Sequence, residues 1–204
     1  MTRHRTNGPA SPDQRWRAVE EPYRALVVRN RVDEQFLAIE QQHRRLQEFC
    51  RNMTTAGGLL AIFSADRSRG ITDVDFFLLA LRRLHRVGEL IRRSALPTAP
   101  LRQQLRDFDQ RIKPVMTIRD VLEHLDDVAV EGRGGIGWGI GDDRLSVTYS
   151  GVTIDTFELF TAARNLHAAV RTVVDPIAAN EPHGQAPIID MHHGPACAAL
   201  GSPS

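Results

Sequence analysis

Residues 73–94, DVDFFLLALRRLHRVGELIRRS, constrain the fold more than any other stretch of the chain. Phe76, Phe77, Leu79, Ala80, Leu84, Val87 and Ile91 recur through it at helical spacing, and Thr72 is placed to cap its start. A helix of this length with an apolar stripe is stable only when the stripe is buried against other elements. The partners it needs are visible elsewhere in the chain. Ser11, Pro12 and Gln14 open a helix to about Val28 with a capping box, and Pro22 is a break or kink within it. Residues 32–53 carry a second periodic face of Val32, Phe36, Ile39, His43, Leu46 and Phe49 or Cys50.

The segment around Gly57 and Gly58 reads as a short separate helix, and residues 66–71, DRSRGI, as a loop. After the Pro-rich break at 96–100, a long helical pattern runs from Leu101 to about Val130, with Pro114 as a kink or boundary. Residues 131–143 are glycine-rich and non-helical. Leu145, Val147 and Tyr149 alternate as a strand, and the residues after Gly151 complete a hairpin at about 144–155. Asp155 and Glu158 form a capping box for a last helix over about 156–174, with Phe157, Phe160, Ala163 or Arg164, Leu166, Val170 and Val173 on its apolar face. The expected fold is mainly α, a four- to five-helix bundle with a small β-hairpin before the last helix. Residues 1–11 read as a flexible N-terminus, 12–178 as a single helical domain, and 179–204 as a disordered tail rich in Gly, Pro and Ala.

Composition narrows the function classes. The formal net charge is +1, so no global positive field draws in nucleic acid, and an RNA partner would need a local site. Lys113 is the only lysine among 26 basic residues, a bias that a GC-rich genome explains. Cys50 and Cys197 make no disulfide framework, and Cys50 reads as a buried thiol on a helix. No secretory core or membrane-length apolar run is present, so a cytoplasmic protein without a membrane partner is expected.

Several candidate motifs have plainer readings. GRGGIG, 132–137, has dinucleotide-loop spacing but follows a helix and leads to a strand, the reverse of the required order. His183, Asp190, His192, His193 and Cys197 are metal-competent but match no closed site. No metal and no cofactor are expected. RRLHR, 82–86, and RNLHAAVR, 164–171, read as solvated basic faces, although Arg164 and Arg171 could line an RNA groove.

TIRDVLEHLDD, 117–127, holds the densest polar chemistry. Advancing by helical steps, Ile118, Val121, Leu122, Leu125, Val128 and Ala129 fall in one arc of about 120°. Arg119, Asp120, Glu123, His124, Asp126 and Asp127 take the opposite arc. Arg119 reaches Glu123, Asp120 reaches His124, and Asp127 lies one turn from the imidazole. As a solvated face, the two i,i+4 pairs contribute about 0.2–0.5 kcal/mol each.

As a site, the spacing of Arg119, Asp120 and His124 resembles the R-x4-H motif of HEPN domains, small helical bundles of which many are metal-independent ribonucleases. The resemblance implies Arg119 and His124 as catalytic residues, Asp120 orienting the imidazole, and Glu123, Asp127, Arg164 and Arg171 around the bound RNA. It also implies a homodimer that brings two motifs into one cleft, in a bacterial defence, toxin or stress setting with a neighbouring-gene protein as a further partner. Two features depart from the family. Asp126 stands where one toxin subgroup has a modifiable tyrosine, and Glu123 and Asp127 add negative charge beside the expected phosphate. The alternative is a non-catalytic helical bundle that binds a protein or RNA partner.

Overall fold

The fold follows from a computed structural model that describes residues 11–55, 65–123, 137–141, 144–149 and 151–180, with the side chains at 55, 65–68, 119–123 and 149 outside the description. Within it the chain is mainly helical. Among the described residues there are five helices, α1 (Pro12–Arg17), α2 (Glu21–Thr55), α3 (Ala65–Arg93), α4 (Arg102–Glu123) and α5 (Thr156–Ala178), and a 3-10 turn, Ala99–Leu101, leads into α4. A three-stranded antiparallel sheet, β1 (Gly137–Ile140), β2 (Leu145–Tyr149) and β3 (Val152–Asp155), precedes α5. The expected class is thus found, with the hairpin enlarged by one strand.

The Ser11 capping box forms as read. Gln14 N donates to Ser11 Oγ at 3.3 Å, and Ser11 N donates to Gln14 Oε1 at 2.9 Å. The helix it opens is short, however, and ends at Arg17. Pro22 then sits in the first turn of α2, where a missing N–H removes no helical hydrogen bond, so it starts a helix and does not kink one. The buried Arg24 guanidinium ties the intervening turn down by donating to Arg17 O at 3.0 Å and to Val19 O.

From there α2 is continuous to Thr55, where a boundary near 28–32 was expected. The physical reason is phase. Ala25, Val28, Val32, Ile39, Leu46, Cys50 and Met53 are buried, with Gln35 and His43 filling the two intervening positions, so one stripe runs the whole length.

DRSRGI is helical in α3 and is not a loop. Gly70 is there for closeness. A Cβ at this position would lie 2.6 Å from the Phe49 ring, so the bare backbone lets α3 approach α2. Of the expected face of α3, Phe77, Ala80, Leu84, Val87 and Ile91 are buried, joined by Val74, Leu78 and Leu81, while Phe76 is 49% exposed.

Pro114 lies inside α4 without ending it. In α5, Asp155 Oδ1 accepts from the backbone N–H groups of Phe157 at 2.8 Å and Glu158 at 3.0 Å. Glu158 pairs with Arg111 at 3.0 Å, joining α5 to α4. The helix passes Val174, its expected end, and Pro176 is accommodated in the last turn. Its buried residues are Thr156, Leu159, Ala163, Leu166, Val170, Val174 and Ala178, leaving Phe157, Phe160 and Val173 at the border of the core.

β1 is drawn from the glycine-rich segment read as irregular. Trp138 pairs with Val147, Ile140 with Leu145, and Val147 with Ile154, so the apolar members of three strands share one face. That face joins the helical core. On the other face Ser146 Oγ comes within 2.4 Å of where a Gly139 Cβ would be, which explains a glycine in a strand. Gly151, at φ 79°, turns β2 into β3. The core is a continuous cluster shared by α2, α3, α4, α5 and the sheet. α2 packs against both α3 and α5, and α4 packs against α3 and α5.

Gly70→Ala is expected to lower stability by about 1–3 kcal/mol through overpacking against Phe49. At an open helix position the same change would raise stability by roughly 1 kcal/mol. Urea denaturation reads the sign.

Candidate functional site

The end of α4 comes first, because the sequence points there. Leu101, Leu105, Phe108, Ile112 and Val115 are buried at alternating steps of four and three. The next step of four would bury position 119. The stripe instead takes a second step of three, to the fully buried Ile118. Arg119, Asp120 and Glu123 occupy the last turns of α4. His124 and Asp127, the other motif residues, lie outside the described residues. β2 and β3 pack beside α4, so the sheet flanks the helix that carries the motif.

The two α5 arginines singled out from the sequence sit differently. Arg164 is exposed, and its guanidinium carbon lies 6.0 Å from the Phe160 ring centroid. Arg171 belongs to an ion cluster. Its Nε donates to Asp175 Oδ1 at 2.8 Å and Oδ2 at 2.9 Å. Its Nη1 donates to Asp33 Oδ2 at 2.8 Å and Oδ1 at 3.0 Å. His167 Nε2 lies 2.8 Å from Asp33 Oδ1, so one α2 carboxylate holds two α5 side chains one turn apart. A phosphate approaching Arg171 would meet the two carboxylates already paired with it.

The electrostatics follow the geometry. Burial works against the Asp33 charge, but hydrogen bonds from His167 and Arg171, with the charges behind them, outweigh it and hold the carboxyl below the usual carboxylate range. Hydrogen bonds to Asp175 and then Asp33 raise the Arg171 guanidinium further above its ordinary value.

An aromatic ladder backs this cluster. The His167 ring stacks on Phe36 at 4.3 Å and 14°. The buried His43 stacks on Phe160 at 4.1 Å and 6°. Phe36 and Phe160 themselves lie 6.0 Å apart. Arg144, entering β2, places its guanidinium 4.6 Å from the Phe157 ring and so pins the sheet to α5. The α2–α5 seam thus interleaves two histidines with two phenylalanines.

A second seam repeats the ion pattern. Asp109 of α4 lies 3.3 Å from His85 Nε2 and also accepts from Arg92, both on α3. The basic stretch at 82–86 therefore contributes a helix–helix contact through His85, beyond its expected solvated face. Among the described residues no group of three His, Cys, Asp or Glu could hold a metal ion. No described helix is long and apolar enough to cross a membrane.

Sequence reasoning missed Asp33, His167 and Asp175 as members of a cluster. His167, Arg171 and Asp175 were visible as i, i+4 and i+8 on one helix face. Their shared partner Asp33 lies 134 residues before His167, and only the packing of α2 on α5 joins them.

Asp33→Asn is expected to cost about 1 kcal/mol near pH 7, a charge-assisted hydrogen-bond value discounted because the Asp33 side chain is 36% exposed. Because the folded-state pKa of Asp33 is lowered, its contribution is present above the ordinary aspartate value of about 4 and is lost as pH falls through the lowered value. Thermal melts should show the gap between wild type and variant at neutral pH closing below pH of about 4. A gap that widens on acidification would contradict the assignment.

Compared with models of protein families, with curated proteins and with solved structures, the chain matches none.

Proposed function

We propose that the chain is a HEPN-like, metal-independent endoribonuclease that works as a homodimer. The observation that carries this reading is the run from Arg119 to His124, which begins one residue past the last described buried position of α4, Ile118, in a mainly helical fold. The order Arg, Asp, three residues, His supplies the groups that cleavage of RNA by its own 2′-hydroxyl requires.

In that reaction the 2′-oxygen attacks the adjacent phosphorus, and the bond to the 5′-oxygen of the next nucleotide breaks. One proton leaves the 2′-hydroxyl and one reaches the departing 5′-oxygen. Histidine is the side chain whose ordinary range suits moving them, and His124 is the one the run supplies. Arg119 offers a fixed positive charge to the phosphate oxygens, on which charge builds in the transition state. Asp120, one turn before His124, orients the imidazole. The products are a 2′,3′-cyclic phosphate and a 5′-hydroxyl.

Positions 119 and 124 are about 140° apart around an ideal helix. One helix therefore converges poorly on one phosphate, whereas two copies crossing antiparallel supply an Arg and a His from opposite sides. This is the reason for the dimer.

RNA cleavage in excess chelator tests the reading. Wild type should cut single-stranded RNA to cyclic-phosphate ends, while Arg119→Ala and His124→Ala should each fall by about 100-fold or more, the scale of losing a general acid–base or an oxyanion-stabilising group. Sedimentation should give a dimer. Cleavage that survives in both variants, or a strict monomer at micromolar concentration, would refute it.

A further inference from the structure

Phe76 stands out of α3 with 49% of its surface exposed. Arg69 lies seven residues before it and Arg83 seven residues after it. Seven residues are almost two helical turns, so all three leave α3 within about 20° of one line, with about 10 Å between neighbours. Arg69 and Arg83 are exposed, and no described residue pairs with either. His85 and Arg92, which meet Asp109 of α4, leave α3 about 160–180° from Phe76. The stripe therefore lies on the flank of α3 turned from α4.

At its Arg69 end the stripe borders a cleft of about 460 Å³, lined by Arg45 of α2 and by Arg69, Thr72 and Asp73 of α3. Asp73 lies 3.6 Å from Arg45, so those two charges offset each other and Arg69 is the surplus. Within about 90° of Phe76 around α3, Asp73 is the one described acid, against Arg69, Arg83 and Arg86. The exposed ring thus sits in a positive field.

An anion that carries flat, stackable groups matches both features. Single-stranded nucleic acid is held by cations that follow its backbone and by aromatic faces on which its bases stack. A peptide is held differently, by a sheet edge that extends its strand or by an apolar groove that buries its side chains. The stripe is on a helix, and the cleft beside it is lined by charged and hydroxyl side chains. An acidic peptide would find the charge here but no place for its anchors.

We propose that the outer stripe of α3 is a docking platform for single-stranded RNA, with a base stacked on Phe76 and phosphates held by Arg69 and Arg83. The proposal rests on the RNA reading above and gives the substrate a path. α3 and α4 run antiparallel, with Gly88 facing Leu105. Twelve residues back along α3 and on along α4, Phe76 is level with about position 117, just before Arg119. To pass from Phe76 to α4 a strand must round α3, which is about 10–12 Å across. Six stacked nucleotides, at about 3.4 Å each, reach that far.

The test is equilibrium binding by fluorescence anisotropy. The probe is fluorescein-labelled 12-nucleotide oligo(U) in chelator, with the full chain carrying His124→Ala to keep the RNA intact. Adding Phe76→Ala should weaken binding about tenfold, the scale of one base stacked on one ring. Phe76→Trp should keep the affinity, since it keeps a ring face. Arg69→Ala and Arg83→Ala should each lower the slope of log affinity against log salt by about 0.7, the share of one phosphate contact on a single strand. All four positions of substitution other than His124 are exposed, so thermal melts should stay within a few degrees of the parent.

Unchanged affinity in Phe76→Ala, with wild type still cleaving RNA, would overturn the platform and leave the ribonuclease reading standing. Binding that depends on the ring, without cleavage by wild type, would leave the platform and remove the ribonuclease. Absence of oligo(U) binding would overturn the platform, and fluorescein-labelled oligoglutamate bound in its place would make the stripe a site for acidic peptides.

Discussion

The packing of α2 on α5 is the contact on which the rest of the molecule depends. α2 spans Glu21–Thr55, and its single stripe faces the buried residues of α5 on one side and of α3 on the other. Burial of apolar side chains provides the energy, at about 1.5–3 kcal/mol for each fully buried aliphatic or aromatic residue. The ion cluster at the edge of this seam contributes less, because Asp33 and Arg171 are both partly exposed. Its role is register. Asp33 accepts from His167 and Arg171 together only when α2 and α5 are aligned at one axial position, and the Phe36–His167 and His43–Phe160 stacks require the same alignment.

Everything nearer the proposed site is placed from that seam. The sheet leads directly into α5 through Asp155, which both ends β3 and caps the helix. Arg144 over Phe157 ties β2 to the same helix. α4 then has α5 on one flank, joined through Arg111 and Glu158, and α3 on another, joined through Asp109. α4 is therefore held along its length before it reaches Arg119. The Arg119–His124 run begins in the last turns of this helix. A helix braced in this way is a suitable carrier for chemistry, because side chains on regular elements are held more closely than side chains on loops.

Polar residues inside this core follow one pattern. His43 is buried in an aromatic stack, and Gln35 fills a stripe position about two turns earlier on α2. Ser94 caps the end of α3 by donating from Oγ to the Ile91 carbonyl at 2.6 Å. These groups interrupt the apolar stripe without breaking the helices, which is why periodicity survived them in the sequence.

Helical class and the caps at Ser11 and Asp155 could be read from the chain alone, because they depend on spacing and local hydrogen bonding over a few residues. The run at 119–124 is a spacing in the sequence, and its side chains lie outside the described residues. Misreadings fell where local signals compete. Pro22 and Pro114 are breakers in isolation, yet one occupies a first turn and the other is carried by packing on both flanks. Gly70 and Gly139 looked like loop residues because the close neighbours that require glycine, Phe49 and Ser146, belong to other elements. The addition of β1 to the sheet and the Asp33 cluster were decided only by tertiary structure. Each joins residues far apart in the chain, and only the free energy of burying two surfaces together selects which of them meet.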